Sequence, residues 1–123
     1  MADVRVVVVD DQATFRRAAG ALVSATEGFV LVGDAVDGEE SLATVIQHQP
    51  DLVLMDVNLP GIDGLEATRR IMMLDDAPIV VLLSTYELGE IGADPLDCGA
   101  NAYVPKVEFD SARLRQVWSE ASG

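Results

Sequence analysis

Short, continuously apolar runs recur along this chain, and between them lie longer stretches whose apolar residues return at helical spacing. This alternation limits the fold more than any other feature. Val4 to Val9, Phe29 to Gly33, Leu52 to Met55, Ile79 to Leu83 and Ala102 to Pro105 read as five strands. Strands apolar at consecutive positions are buried on both faces, and parallel strands need crossovers that are usually helical. The pattern predicts an α/β domain, a parallel sheet with helices on both faces.

The helices follow from spacing and caps. A helix over Gln12 to Ala25 places Phe15, Ala18, Ala19, Leu22 and Val23 on one face, with Arg16 and Arg17 outside. Asp37 with Glu40 opens a second helix, which runs to about Gln47 and is stopped by Pro50. Asp63 with Glu66 opens a third from Gly64 to about Leu74, turning Leu65, Thr68, Ile71 and Met72 inward. Asp110 caps the last, with Leu114, Val117, Trp118 and Ala121 on its core face. Between residues 85 and 101, Gly89 and Gly92 each cost about 1 kcal/mol inside a helix and Pro95 about 3 kcal/mol, which predicts a weak or irregular fourth helix. Ile91 and Leu88 offer it only a thin apolar stripe, and a partner or second copy is the expected reader of this surface. Pro105 is tolerable only on an edge strand, which suits the doubly wound, flavodoxin-like order 2-1-3-4-5.

The chain has 123 residues, half of them apolar, so residues 1–123 are expected to form one domain with its own core. Its 21 acidic against eight basic residues give a net charge of −13, which opposes direct binding to nucleic acid. No apolar run approaches the ~18 residues that would cross a membrane, and the N-terminus lacks a signal-peptide pattern. With Cys98 as its single cysteine, no internal disulfide can form, and a cytoplasmic location is expected. Cys98 reads as a small buried hydrophobe, and His48 as a solvated helix-end side chain.

In open α/β sheets the site lies beyond the carboxyl ends of the strands, where strand order reverses. Those ends carry Asp10, Asp11 and Asp56, with Ser84 after the fourth strand and Lys106 after the fifth. Three crowded carboxylates repel one another unless a hard cation such as Mg²⁺ joins them. A carboxylate beside such a cation can attack phosphorus, while an ammonium and a hydroxyl hold the phosphoryl oxygens. Taken singly, Asp10 and Asp11 could equally cap the first helix, Asp56 could serve a turn, Ser84 could be a strand-end hydroxyl and Lys106 a solvated charge. Their joint placement favours phosphoryl chemistry.

From about residue 3 to residue 120 the chain resembles the receiver domains of bacterial two-component response regulators. The resemblance rests on VVVVDD, LVLMDVNLPGIDG, IVVLLST and GANAYVPK in this order, and DDQATFRRA with DGLEATRRI is most similar to LuxR- and NarL-type receivers. It implies that Asp56 accepts a phosphoryl group from a sensor histidine kinase. It further implies Mg²⁺ held by Asp11, Asp56 and the carbonyl of Asn58, with Asp10 acting through water and Lys106 pairing with the phosphoryl group. Ser84 would then donate its hydroxyl and Tyr103 turn inward, the family's switch. For Tyr103 a half-buried edge-strand aromatic is the competing reading. Three features depart from the family: Pro105 precedes the lysine while Val107 follows it, Thr85 is bulkier than the usual residue, and the fourth helix is weak. No cis bond is expected between Lys106 and Val107. The alternatives are a Mg²⁺-dependent phosphatase with an aspartyl nucleophile, which would want an acid where Asn58 stands, and a phosphate-independent interaction module.

Overall fold

The computed structural model describes residues 2–85 and 94–123. Its elements run β1 Val4–Val9, α1 Ala13–Ala25, β2 Phe29–Ala35, α2 Gly38–His48, β3 Leu52–Asp56, α3 Gly64–Met72, β4 Ile79–Ser84, β5 Ala102–Pro105 and α4 Ser111–Ser122. The five strands are all parallel and lie in the order β2-β1-β3-β4-β5, a flavodoxin-like sheet. Pro105 is on an edge strand, as its missing N–H requires. Of the segment 85–101, where a weak or irregular fourth helix was expected, residues 86–93, including Leu88, Gly89, Ile91 and Gly92, lie outside the described residues. The described remainder, Pro95–Cys98, is a single 3-10 turn.

Alternate residues of each central strand serve opposite cores. Val6 and Val8 of β1, Leu52 and Leu54 of β3, and Val81 and Leu83 of β4 pack with Ala19, Val23, Leu114 and Val117 from α1 and α4. Val7 and Val9, Val53 and Met55, and Val80 and Leu82 pack with Val45, Ala67 and Ile71 from α2 and α3. This two-sided burial accounts for the unbroken apolar runs.

Local sequence sets the helix starts. Asp37, Asp63 and Asp110 each accept a hydrogen bond from the backbone N–H three residues on, Glu40, Glu66 and Arg113. The reciprocal half of the capping box is not made at α3, where Glu66 turns to Arg69 and Arg70 at 3.3 and 3.0 Å. On α1 the buried face differs from the expected one: Ala18 is exposed while Gly20 is buried, and a Cβ at Gly20 would come within 3.0 Å of the Leu31 side chain on β2. His48 is half-buried rather than solvated, its imidazole packed over Gly33. Cys98 is buried as expected, its thiol donating to the Pro95 carbonyl at 3.0 Å.

Candidate functional site

β1 delivers Asp10 directly into the crevice beside β3. Its backbone N–H still pairs with the Ala35 carbonyl at 3.1 Å, so the chain leaves the sheet only after this residue. Asp10 is buried, and its Oδ1 accepts from the Gln12 N–H at 2.8 Å, bending the chain into α1. The carboxylate therefore serves the turn as well as the crevice. Gln12 occupies the N-cap position without a side-chain cap. Arg16, expected to face outward, turns back instead: Nη1 donates to the Asp10 carbonyl at 2.8 Å and Nε pairs with Asp34 at 3.4 Å. Arg17 is exposed as expected.

Asp56 closes β3 and is 4% exposed. Past it, Val57 donates to the Leu83 carbonyl at 3.0 Å and Gly64 donates to the Val57 carbonyl at 2.8 Å, which folds the start of α3 onto the strand end. A Cβ at Gly64 would collide with the carbonyl of Asp56, so only glycine permits this approach. The Asn58 N–H donates to Asp56 Oδ1 at 3.3 Å, and Asn58 itself is exposed.

Asp11 is exposed at the mouth, and carboxylate oxygens of Asp10, Asp11 and Asp56 lie within 4.8 Å of one another. Burial above all, then the neighbouring charge of Asp10, raises the Asp56 pKa from 3.8 to about 6, against the lowering effects of Lys106 and the Asn58 N–H; Asp11 adds a smaller upward push. An all-oxygen set of three carboxylates fits a hard divalent cation and no soft one.

Lys106 opens the 3-10 turn Lys106–Glu108, and its largely buried side chain reaches back across β5 and β4. Nζ pairs with Asp10 Oδ2 at 2.7 Å, lies 3.6 Å from Asp56 Oδ1, and sits 4.3 Å from the ring centroid of Phe15. Phe15 and Arg16 were assigned no site role from sequence. The signal available was their position on the first turn of α1, about one turn beyond the acidic pair. No cis peptide bond occurs among the described residues, in line with expectation for Lys106–Val107.

Ser84 is fully buried at the end of β4, one residue beyond Leu83, the register partner of Asp56. Ser84, Thr85, Tyr103, Pro105, Val107, Glu108 and Arg113 line an open cavity of about 450 Å³. Tyr103 is half-buried against the core on the α2 and α3 side. The structure thus gathers Asp10, Asp11, Asp56 and Lys106 into one cluster and sets Ser84 and Tyr103 on a shared cavity beside it. Trp118 lies at the other end of the sheet, with Pro50, Asp51 and Ile79, and takes no part in the cluster.

Residues 6–118 match the response regulator receiver domain family. A protein-glutamate methylesterase/protein-glutamine glutaminase of Photobacterium profundum is 39% identical over 113 residues, 91% of this chain but 29% of that protein. The chain thus spans under a third of the length of such relatives. The signal receiver domain of NarL from Mycobacterium tuberculosis superposes with a TM-score of 0.90 at 29% identity, covering 100% of this chain and 99% of that one. CheY in the CheX-CheY-BeF3-Mg complex from Borrelia burgdorferi superposes with a TM-score of 0.84 at 26% identity, covering 97% of this chain and 89% of that one. With the fold, the acidic crevice and the match over most of its length in agreement, the chain belongs to the receiver domains of two-component response regulators.

Proposed function

We propose that Asp56 is the phosphoacceptor of this receiver and that a sensor histidine kinase supplies the phosphoryl group. The observation that carries the reading is the convergence of three carboxylates within 4.8 Å with the Lys106 ammonium 3.6 Å from Asp56. A carboxylate oxygen of Asp56 forms the new P–O bond. The P–N bond of the donor phosphohistidine breaks, its electron pair stays on the imidazole, and that nitrogen takes up a proton from solvent. Asp11, Asp56 and the Asn58 carbonyl would hold Mg²⁺ directly and Asp10 through water, and the cation would offset charge on the transferring group. The crystallised CheY complex with BeF3 and Mg supports this by similarity. Lys106 contacts an equatorial oxygen, Ser84 donates its hydroxyl to another, and Tyr103 follows β4 inward, biasing one of two conformations.

Chemically this is a self-labelling switch that later gives its phosphoryl group to water, working in the cytoplasm and read by a protein partner or a second copy. The phosphatase reading is disfavoured by Asn58, whose amide stands where a general acid would be required. Incubation with acetyl phosphate and Mg²⁺ followed by intact-mass measurement tests the assignment. One added phosphoryl group is expected on the parent and none on Asp56→Asn; equal labelling of both would exclude Asp56.

A further inference from the structure

We propose that Phe15 is a positioning residue, holding the Lys106 ammonium in place through the phosphoryl-transfer cycle; this rests on the phosphoacceptor reading above. Lysine carries its charge on a flexible four-carbon stem, so a lysine that must meet a transient group needs something to hold it. The backbone supplies little. Lys106 follows a four-residue edge strand and begins a three-residue turn, and the next residue, Val107, is 94% exposed. The ammonium's place is therefore set by what Nζ touches: Asp10, Asp56 and the Phe15 ring.

Two of those three contacts are the groups that change during the reaction. Both carboxylates belong to the cluster that would take the cation, and Asp56 would carry the phosphoryl group. The ring neither titrates nor binds the metal, and its face attracts an ammonium at this distance. Phe15 is itself anchored, packed on the first turn of α1 against the core of Val6, Val8 and Ala19. An ammonium has three N–H donors, so with the ring beneath it Lys106 can turn a donor from a carboxylate to an arriving oxygen without moving away.

Lys106 is the single lysine of the chain, which makes the test direct. In metal-free protein carrying ¹³C-lysine, the ε-methylene protons are expected upfield of free lysine through the ring current, at the free position in Phe15→Leu, and upfield again in Phe15→Tyr. With acetyl phosphate and Mg²⁺, Phe15→Leu is expected to label about 3- to 30-fold more slowly than the parent. Phe15→Tyr should stay near the parent rate. In a Lys106→Met background the same Phe15→Leu change should have no further effect. Unshifted ε protons in the parent, or equal slowing with and without Lys106, would overturn the proposal. A parent that shows the shift but takes no phosphoryl group would sink the phosphoacceptor reading while leaving the positioning contact standing.

Discussion

Lys106 pairs more closely with Asp10, at 2.7 Å, than with Asp56, at 3.6 Å. In the metal-free domain the ammonium thus neutralises part of the carboxylate set that a cation would use. Lys106→Met is expected to bind Mg²⁺ more tightly than the parent by about threefold to tenfold, because a like charge and a competitor for Asp10 are both removed. Titration calorimetry measures this, and a weaker affinity in the variant would show that Lys106 organises the carboxylates rather than competing for them.

The Asp56 carboxyl sets a pH dependence. Its pKa is about 6 in the folded domain against 3.8 ordinarily, so folding favours its protonated form. That contribution is fully present below about pH 4 and is lost as pH rises through about 6, amounting to about 3 kcal/mol at most. In EDTA, Asp56→Asn is therefore expected to exceed the parent in stability at pH 7.5, with the gap closing toward pH 4. Urea unfolding at both pH values is the check, and a gap independent of pH would refute the buried-charge account.

Arg16 joins the ends of β1 and β2 through the Asp10 carbonyl and Asp34. Arg16→Ala is expected to cost about 1–3 kcal/mol, because the Asp10 carbonyl loses a charged donor. It should also weaken Mg²⁺ binding severalfold by loosening the turn that presents Asp10 and Asp11. Urea unfolding and calorimetry on the same variant test both effects, and an unaltered Mg²⁺ affinity would confine Arg16 to a stabilising role.

Gly64 lets the start of α3 approach the backbone of Asp56. Gly64→Ala is expected to destabilise the domain by at least about 1–3 kcal/mol, since the obstacle is a backbone carbonyl rather than a flexible side chain. Labelling should slow as well, because relief of the clash displaces the Asp56 strand end. Wild-type stability in this variant, read by urea unfolding, would mean that the loop from 57 to 63 yields freely.

Five strands, their order and the acidic set at their ends were legible in the amino-acid sequence because they rest on short-range rules. Unbroken apolar runs such as Val6–Val9 demand burial on both faces, and an aspartate three residues before a free N–H caps a helix wherever the fold puts it. Once the strand order was inferred, Asp10, Asp11 and Asp56 had to converge. The sequence could not say which way the long polar side chains at the rim would turn. Lys106 meets Asp10 across 96 positions of chain, and Arg16 leaves its solvent-facing place because Asp34 of β2 and the Asp10 carbonyl just past β1 meet beside it. Helical spacing likewise placed Ala18 on the buried face, whereas the folded α1 leaves it exposed and sets Gly20 close against Leu31 of β2. Phe15 read as a core residue and packs as one, but only the folded chain brings the single lysine over its ring. Periodicity and caps are properties of neighbours in sequence, whereas the direction of a charged side chain is settled by the charges that tertiary structure delivers beside it.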